Sequence, residues 1–182
     1  PLLEKYPRNG KKNHPNWLSY DGLLCQMIYM TTEIDKIDRL ILKALQRDSG
    51  RSQRDLADDV GLSQNALWRR LKRLQESGII KGQTIRLNPA DIGLGLTVFV
   101  MIRTRNHSAE WLADFRREAL AIPNIIDIYR IAGDYDYMLK VVAADMNDFD
   151  RVYQRLIEKI SLETVTSLIT MEAIADSRDL PL

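Results

Sequence analysis

Residues 52–78, SQRDLADDVGLSQNALWRRLKRLQESG, decide the fold of the first half of the chain. Two helical patterns flank one glycine. Leu56, Ala57 and Val60 stand at i, i+1 and i+4, so the three apolar side chains share one face of a first helix. Gly61 ends that helix, because a left-handed exit clashes with any Cβ. Ser63 then caps a second helix, its hydroxyl accepting from an orphan N–H of the first turn. Leu67, Leu71 and Leu74 repeat at i, i+4 and i+7 as a buried stripe. The opposite face is expected to carry Gln64, Asn65, Arg69, Arg70, Lys72 and Arg73. The small Ala57 suits the place where two helices cross. A helical hairpin with a basic, amide-bearing second helix has the geometry that enters the major groove of DNA.

Working outward, Asp35 is a natural N-cap, and Ile37, Leu40, Ile41, Ala44 and Leu45 form a stripe of period 3.6. This helix is expected to pack behind the hairpin. After Gly78 comes IIKGQTIRLNP, two short β-prone runs around Lys81-Gly82 that read as the wing of a winged helix. Lys81 and Arg86 are placed there to touch phosphate. Asn88-Pro89 and Gly93-Leu94-Gly95 break the pattern as a hinge.

Beyond the hinge the chain alternates. Strand patterns at 96–105, 125–133, 135–144 and 165–175 enclose helical patterns at 108–122 and 146–160. The order βαββαβ predicts a ferredoxin-like antiparallel sheet with both helices on one face. The expected joint between the second and third strands is a tight Gly-Asp turn. Nothing in the chain covers the other sheet face, and Tyr129, Ile131, Met138 and Val142 would leave a large apolar patch in water. Two sheets packed face to face remove it, which predicts a dimer and a second half-site for the reading helix.

Charge divides along the same line. Residues 30–95 hold 12 Lys and Arg against nine Asp and Glu, whereas residues 96–182 hold 10 against 14. Within 63–86 six basic residues face one acidic residue, so positive potential gathers at the hairpin, where phosphates would be neutralised. Gln64 and Asn65 are the candidate base readers, since an amide pairs bidentately with adenine. Ser63 stands beside them at the helix start. Arg69 can reach guanine or phosphate, while Arg70, Lys72, Arg73 and Lys81 are expected on phosphate, fixing position without reading sequence. Trp68 has two readings, the DNA backbone or, more commonly for an aromatic between Leu67 and Leu71, the core.

A single cysteine, Cys25, excludes an internal disulfide, and His14 and His107 lie in loop-like sequence without a nucleophile or ligand motif. No apolar run approaches the ~20 residues of a membrane span, and a reduced, cytoplasmic setting is expected. Residues 1–29 hold three prolines and no sustained periodicity. They read as a non-native or disordered extension without function, the rival being a short helix near Tyr20–Met30 that packs on a partner.

From about residue 30 onward the chain resembles the Lrp/AsnC (feast/famine) family of prokaryotic transcription regulators. The resemblance is carried by IDKIDRLILKALQRDSGRS, DLADDVGLSQNALWRRLKRLQESGIIKG, LNPADIGL, GDYDY at 133–137 with MLKVVAADM after it, and the terminal LPL. Leu67 departs from the small or Cys residue usual before WRR, which reads as core variation. The resemblance implies an α+β chain: a winged helix-turn-helix at 30–88, a hinge at 89–95, a ferredoxin-like effector and oligomerisation domain at 96–176, and a tail at 177–182. It further implies dimers assembling to octamers or larger, and control by an amino acid or related metabolite.

In that family the effector sits between dimers, held by the loop that corresponds to Gly133–Tyr137. The residues suit the task. Backbone N–H groups at Gly133-Asp134 can cradle a carboxylate. Asp134 or Asp136 can accept from an ammonium, and Tyr135 or Tyr137 can wall a pocket. Thr166, Leu168 and Thr170 would add side-chain selectivity. Read without the resemblance, the same stretch is first a hairpin turn with tyrosines that pack an interface. Two rivals to a ligand-responsive regulator remain. One is an architectural DNA-binding protein without an effector. The other is an enzyme like the siroheme decarboxylases, which need basic residues and histidine around a tetrapyrrole. No cofactor and no enzymatic activity are expected, as no acid–base pair or nucleophile–base pair appears.

Overall fold

The computed structural model describes residues 33–176 and 178–182. Both readings of residues 1–29 lie outside the described residues. The chain forms two units, one of residues up to Gln83 together with Asp179–Leu182, the other Thr84–Arg178.

The first unit is helical: α1 Lys36–Arg47, α2 Gln53–Asp59 and α3 Gln64–Glu76. Each start is capped by its own side chain. Asp35 and Asp38 form a reciprocal capping box on α1, Ser52 accepts from the Asp55 N–H at 3.1 Å, and Ser63 accepts from the Ala66 N–H at 3.3 Å. Gly61 between α2 and α3 has φ 67°, the left-handed value that selects glycine. Ile41, Leu56, Ala57 and Leu67 form the buried centre, with Ile37, Ala44, Leu45, Val60, Leu62 and Leu71 packed around it.

The stripe expected on α1 is rotated. Leu40 is 45% exposed, while Leu42 and the acidic Asp38 are buried. Apolar periodicity pointed away from Asp38 because a carboxylate is seldom buried unless it is paired. Residues 179–182 also belong to this unit. The Gln46 side-chain amide grips the main chain of Leu180, accepting from its N–H at 2.7 Å and donating to its carbonyl at 3.3 Å.

No strand forms at 79–88, so the hairpin expected around Lys81-Gly82 is not closed within the chain. Ile85 is 78% exposed there. Two short runs without a third strand or a helix to cover them bury too little to hold a hairpin in water. A 3-10 turn at Ala90–Ile92 follows, closed by Gly93 at φ 78°.

The second unit is β1 Leu96–Arg103, α4 Ala109–Leu120, β2 Ile125–Arg130, β3 Tyr137–Ala143, α5 Met146–Glu158 and β4 Thr164–Ile169. The sheet order is β2-β3-β1-β4, with every pairing antiparallel. Alternate residues Val98, Val100, Ile102, Tyr137, Leu139 and Val141 point to one face, where Trp111, Phe115 and Ala119 of α4 and Phe149, Val152 and Leu156 of α5 cover them. Both helices therefore lie on one side of the sheet, as the order of elements predicts.

Three details differ from expectation. Residues 131–136 make a six-residue loop rather than a tight turn, closed by the Ile131 N–H to the Asp136 carbonyl at 2.9 Å. Strand β4 ends at Ile169, and Met171 and Ile174 beyond it are exposed. On the uncovered face Tyr129 is half-exposed and Met138 partly so, but Val142, expected in water, is buried.

Candidate nucleic-acid interface and effector loop

On α3 the buried side chains are Leu67 and Leu74, with Leu71 half-buried beside them. At 100° per residue Asn65, Arg69, Lys72 and Glu76 point directly away from that side. Gln64, Asn65, Arg69 and Lys72 are all exposed. Trp68 is 52% exposed rather than core, and the Lys72 ammonium lies 5.3 Å from its ring centroid. Lys81 is exposed in the segment after α3.

Arg70 and Arg73 are arranged differently from that set. Arg70 lies on the core side of the helix, and its Nη1 donates to Asp38 Oδ1 at 2.8 Å and to Asp35 Oδ2 at 2.6 Å. Arg73 Nη2 donates to the second oxygen of Asp38. Asp38 itself is 0% exposed. Arg70 and Arg73, both expected on phosphate, are thus bonded to Asp35 and Asp38 of the first helix in the chain by itself, which follows from the burial of Asp38. A charged group taken out of water must be matched by opposite charge and hydrogen bonds. The signal in the sequence was the spacing: Asp35 with Asp38, facing Arg70 with Arg73.

Asp35 is held at about 2, well below the ordinary carboxylate value, chiefly because the Asp38 N–H donates to it and then because Arg70 does. Since the folded value lies below the unfolded one, Asp35 stabilises the folded unit above about pH 4, and this contribution disappears as pH falls towards 2. Acid unfolding of the helical unit followed by circular dichroism is expected to begin across that window. Asp35→Asn should flatten it there, and an unchanged acid limb would contradict the assignment.

In the sheet unit the loop residues divide by face. Gly133 has φ 138°, which favours glycine. Tyr135 points to the uncovered face, and its hydroxyl is 3.1 Å from Thr166 Oγ1 on β4. Arg103, which sequence reasoning missed, packs its guanidinium 5.6 Å from the Tyr135 ring and donates through Nε to the Asp134 carbonyl at 2.7 Å. Nothing local in the sequence marks Arg103, because register alone brings the end of β1 to the loop. The pairings Met101–Thr166 and Phe99–Leu168 place Leu168 on that same outer face. Thr170 follows the end of β4, with its N–H on the Thr97 carbonyl at 3.0 Å and its hydroxyl buried without a hydrogen-bond partner.

Two residues of the loop serve the fold. Tyr137 is 5% exposed, pairs with Ile102 on the covered side and packs against Trp111 and Phe115, so it walls no pocket on the outer face. Asp136 Oδ2 accepts from the Thr104 N–H at 2.8 Å, which ties the loop to the end of β1. The outer face therefore brings together a cation, a phenol, a hydroxyl and apolar side chains from Arg103, Tyr135, Thr166, Met101 and Leu168. Such a set can hold a small zwitterion's charged end and its side chain. No helix among the described residues is long and apolar enough to cross a membrane.

Comparison with known proteins finds matches for both halves of the chain. Residues 34–81 match the winged helix-turn-helix DNA-binding model, and residues 97–180 match that of the Lrp/AsnC ligand binding domain. The chain is 43% identical over 150 residues to the DNA-binding transcriptional activator DecR of Escherichia coli strain K12, covering 82% of this chain and 99% of that one. Among solved structures, an AsnC family transcriptional regulator from Agrobacterium tumefaciens superposes with TM-score 0.77 at 41% identity, covering 81% of this chain and 96% of that chain. A transcriptional regulator from Neisseria meningitidis, solved as a complex with L-methionine, gives TM-score 0.76 at 28% identity over 82% and 97% of the two chains.

Proposed function

The chain belongs to the Lrp/AsnC family of transcriptional regulators, and on that premise we propose that it reads duplex DNA with α3 and answers to an amino acid or related metabolite on the outer face of its sheet. The observation that carries the DNA half is the solvent side of α3, where Gln64 and Asn65 stand exposed at a capped N-terminus with Arg69 and Lys72 behind them. Ser63, Trp68 and Lys81 flank that set. Gln64 and Asn65 read base edges, while Arg69, Lys72 and Lys81 meet phosphate.

The effector half is supported by the Tyr135–Thr166 hydrogen bond, which joins the loop to β4, and by the methionine bound to the Neisseria relative. Gly133, Asp134 and Tyr135 hold the backbone groups of the ligand, Arg103 adds a cation for its carboxylate, and Thr166 and Leu168 select its side chain. The apolar residues on this face, Phe99, Met101, Tyr129 and Leu168, are partly or half exposed, which supports pairing of two sheets into a homodimer and its assembly to an octamer or larger.

Asn65→Ala is expected to cost about 1–3 kcal/mol at a preferred site and to relax base preference at the position it reads. Selection from a random duplex pool would reveal this, and an unchanged consensus would remove Asn65 from the readers. For the effector, thermal melting across a panel of amino acids is decisive. A ligand that binds the folded state alone must raise the transition, by about 2.7 kcal/mol of added stability at a hundredfold excess over Kd. Silence across the whole panel would favour an architectural DNA-binding role.

A further inference from the structure

Asp38 is a buried carboxylate that the reading of DNA does not use. Its two oxygens are filled by two guanidinium groups from the recognition helix, Arg70 on one and Arg73 on the other, and the second also accepts from the Asp35 N–H at 3.2 Å. The arginines are not deeply buried themselves, their side chains keeping 27% and 45% of their surface in water. They are solvated cations tied to a dry anion. Long arginine side chains at the edge of a DNA-binding helix would otherwise swing to phosphate, since counterion release rewards each such contact.

We propose that Asp38 is a positioning residue for sequence discrimination: by binding Arg70 and Arg73 on α1 it withholds two cations of α3 from the phosphate backbone. The inference rests on the reading of α3 as the DNA-binding helix. Phosphate contacts strengthen binding to every sequence alike, whereas base contacts favour one. Subtracting two sequence-blind charges lowers non-specific affinity while leaving Gln64 and Asn65 at the bases, so the ratio between preferred and random sites rises. The same bonds set the roll of α3 against α1, because Arg70 and Arg73, three residues apart, grip one carboxylate.

The test compares salt dependence in Asp38→Asn, which keeps the shape of the side chain and removes its charge. On random-sequence duplex the variant should bind more tightly than wild type, with a plot of log affinity against log salt steeper by about one to two units. The preference for a site selected by the wild-type protein should fall. Arg73→Gln supplies the internal check: it should cost about one unit more slope in the Asp38→Asn background than in wild type. Equal losses in the two backgrounds would overturn the proposal, because Arg73 would already lie on phosphate with Asp38 in place.

Should Asp38→Asn fail to fold, wild type decides alone. Arg73→Gln is then expected to lower the slope by less than half as much as Arg69→Gln, and parity between the two overturns the proposal. A wild-type protein without salt-dependent duplex binding would defeat the DNA reading itself, an outcome visible before any variant is made.

Discussion

Leu67→Ala is expected to unfold the helical unit and abolish DNA binding while the sheet unit still melts cooperatively. Leu67 is fully buried in α3 between Ile41 of α1 and Leu56 and Ala57 of α2. Truncating such a leucine removes its transfer energy and leaves a cavity, for a total of about 2–5 kcal/mol. A unit of some fifty residues has only about 3–8 kcal/mol of stability in all. One truncation therefore removes most of it. Leu67→Met, which nearly conserves volume, should cost under about 1.5 kcal/mol and keep DNA binding. The measurement is differential scanning calorimetry beside a duplex titration. An alanine variant that melts and binds like wild type would mean that this position is not a core anchor at all.

The second large effect is expected at Phe115. Its ring stacks on Trp111 at 5.2 Å with planes 4° apart, and meets Tyr137 at 4.7 Å. Phe115 is wholly enclosed between α4 and the sheet. Phe115→Ala should cost about 3–5 kcal/mol, from lost burial, the cavity and the aromatic contacts together. In a unit of this size that lowers the sheet transition by about 12–40 °C. Tyr137 is the first residue of β3, immediately after the loop, so loosening its packing should also erase any stabilisation by the amino acid. Leu120→Ala, on the exposed side of the same helix, serves as the comparison and should change little. Matching melts for the two variants would show that the stacked cluster does not hold the unit.

Much of this molecule is written in local pattern. The helices of the reading head follow from Leu67, Leu71 and Leu74 at helical spacing, from serine caps and from a glycine at φ 67°. Each of these signals lies within a few residues of what it controls. The βαββαβ order is legible for the same reason, since period-two and period-3.6 runs are read over short windows. Where expectation failed, the deciding partner was distant in the chain. For Arg70 and Arg73 their own helix says only that they are basic; the partner they hold within the chain, Asp38, stands more than thirty residues earlier. Tyr137 looked like a pocket wall until the register with Ile102 turned it inward. The winged helix-turn-helix class stands, but the β-prone residues at 79–88 form no strand among the described residues.

Sequence by itself determined the order of the elements, the caps of α1 and α3, the glycine turn between α2 and α3, and the basic character of α3, because these depend on neighbours along the chain. Tertiary structure alone decided that Arg70 and Arg73 bond to Asp38, which tyrosine faces the outer side of the sheet, and that Arg103 and Thr166 meet at Tyr135. Those choices depend on desolvation and on strand register, and both are set only when residues far apart in the chain are packed against one another.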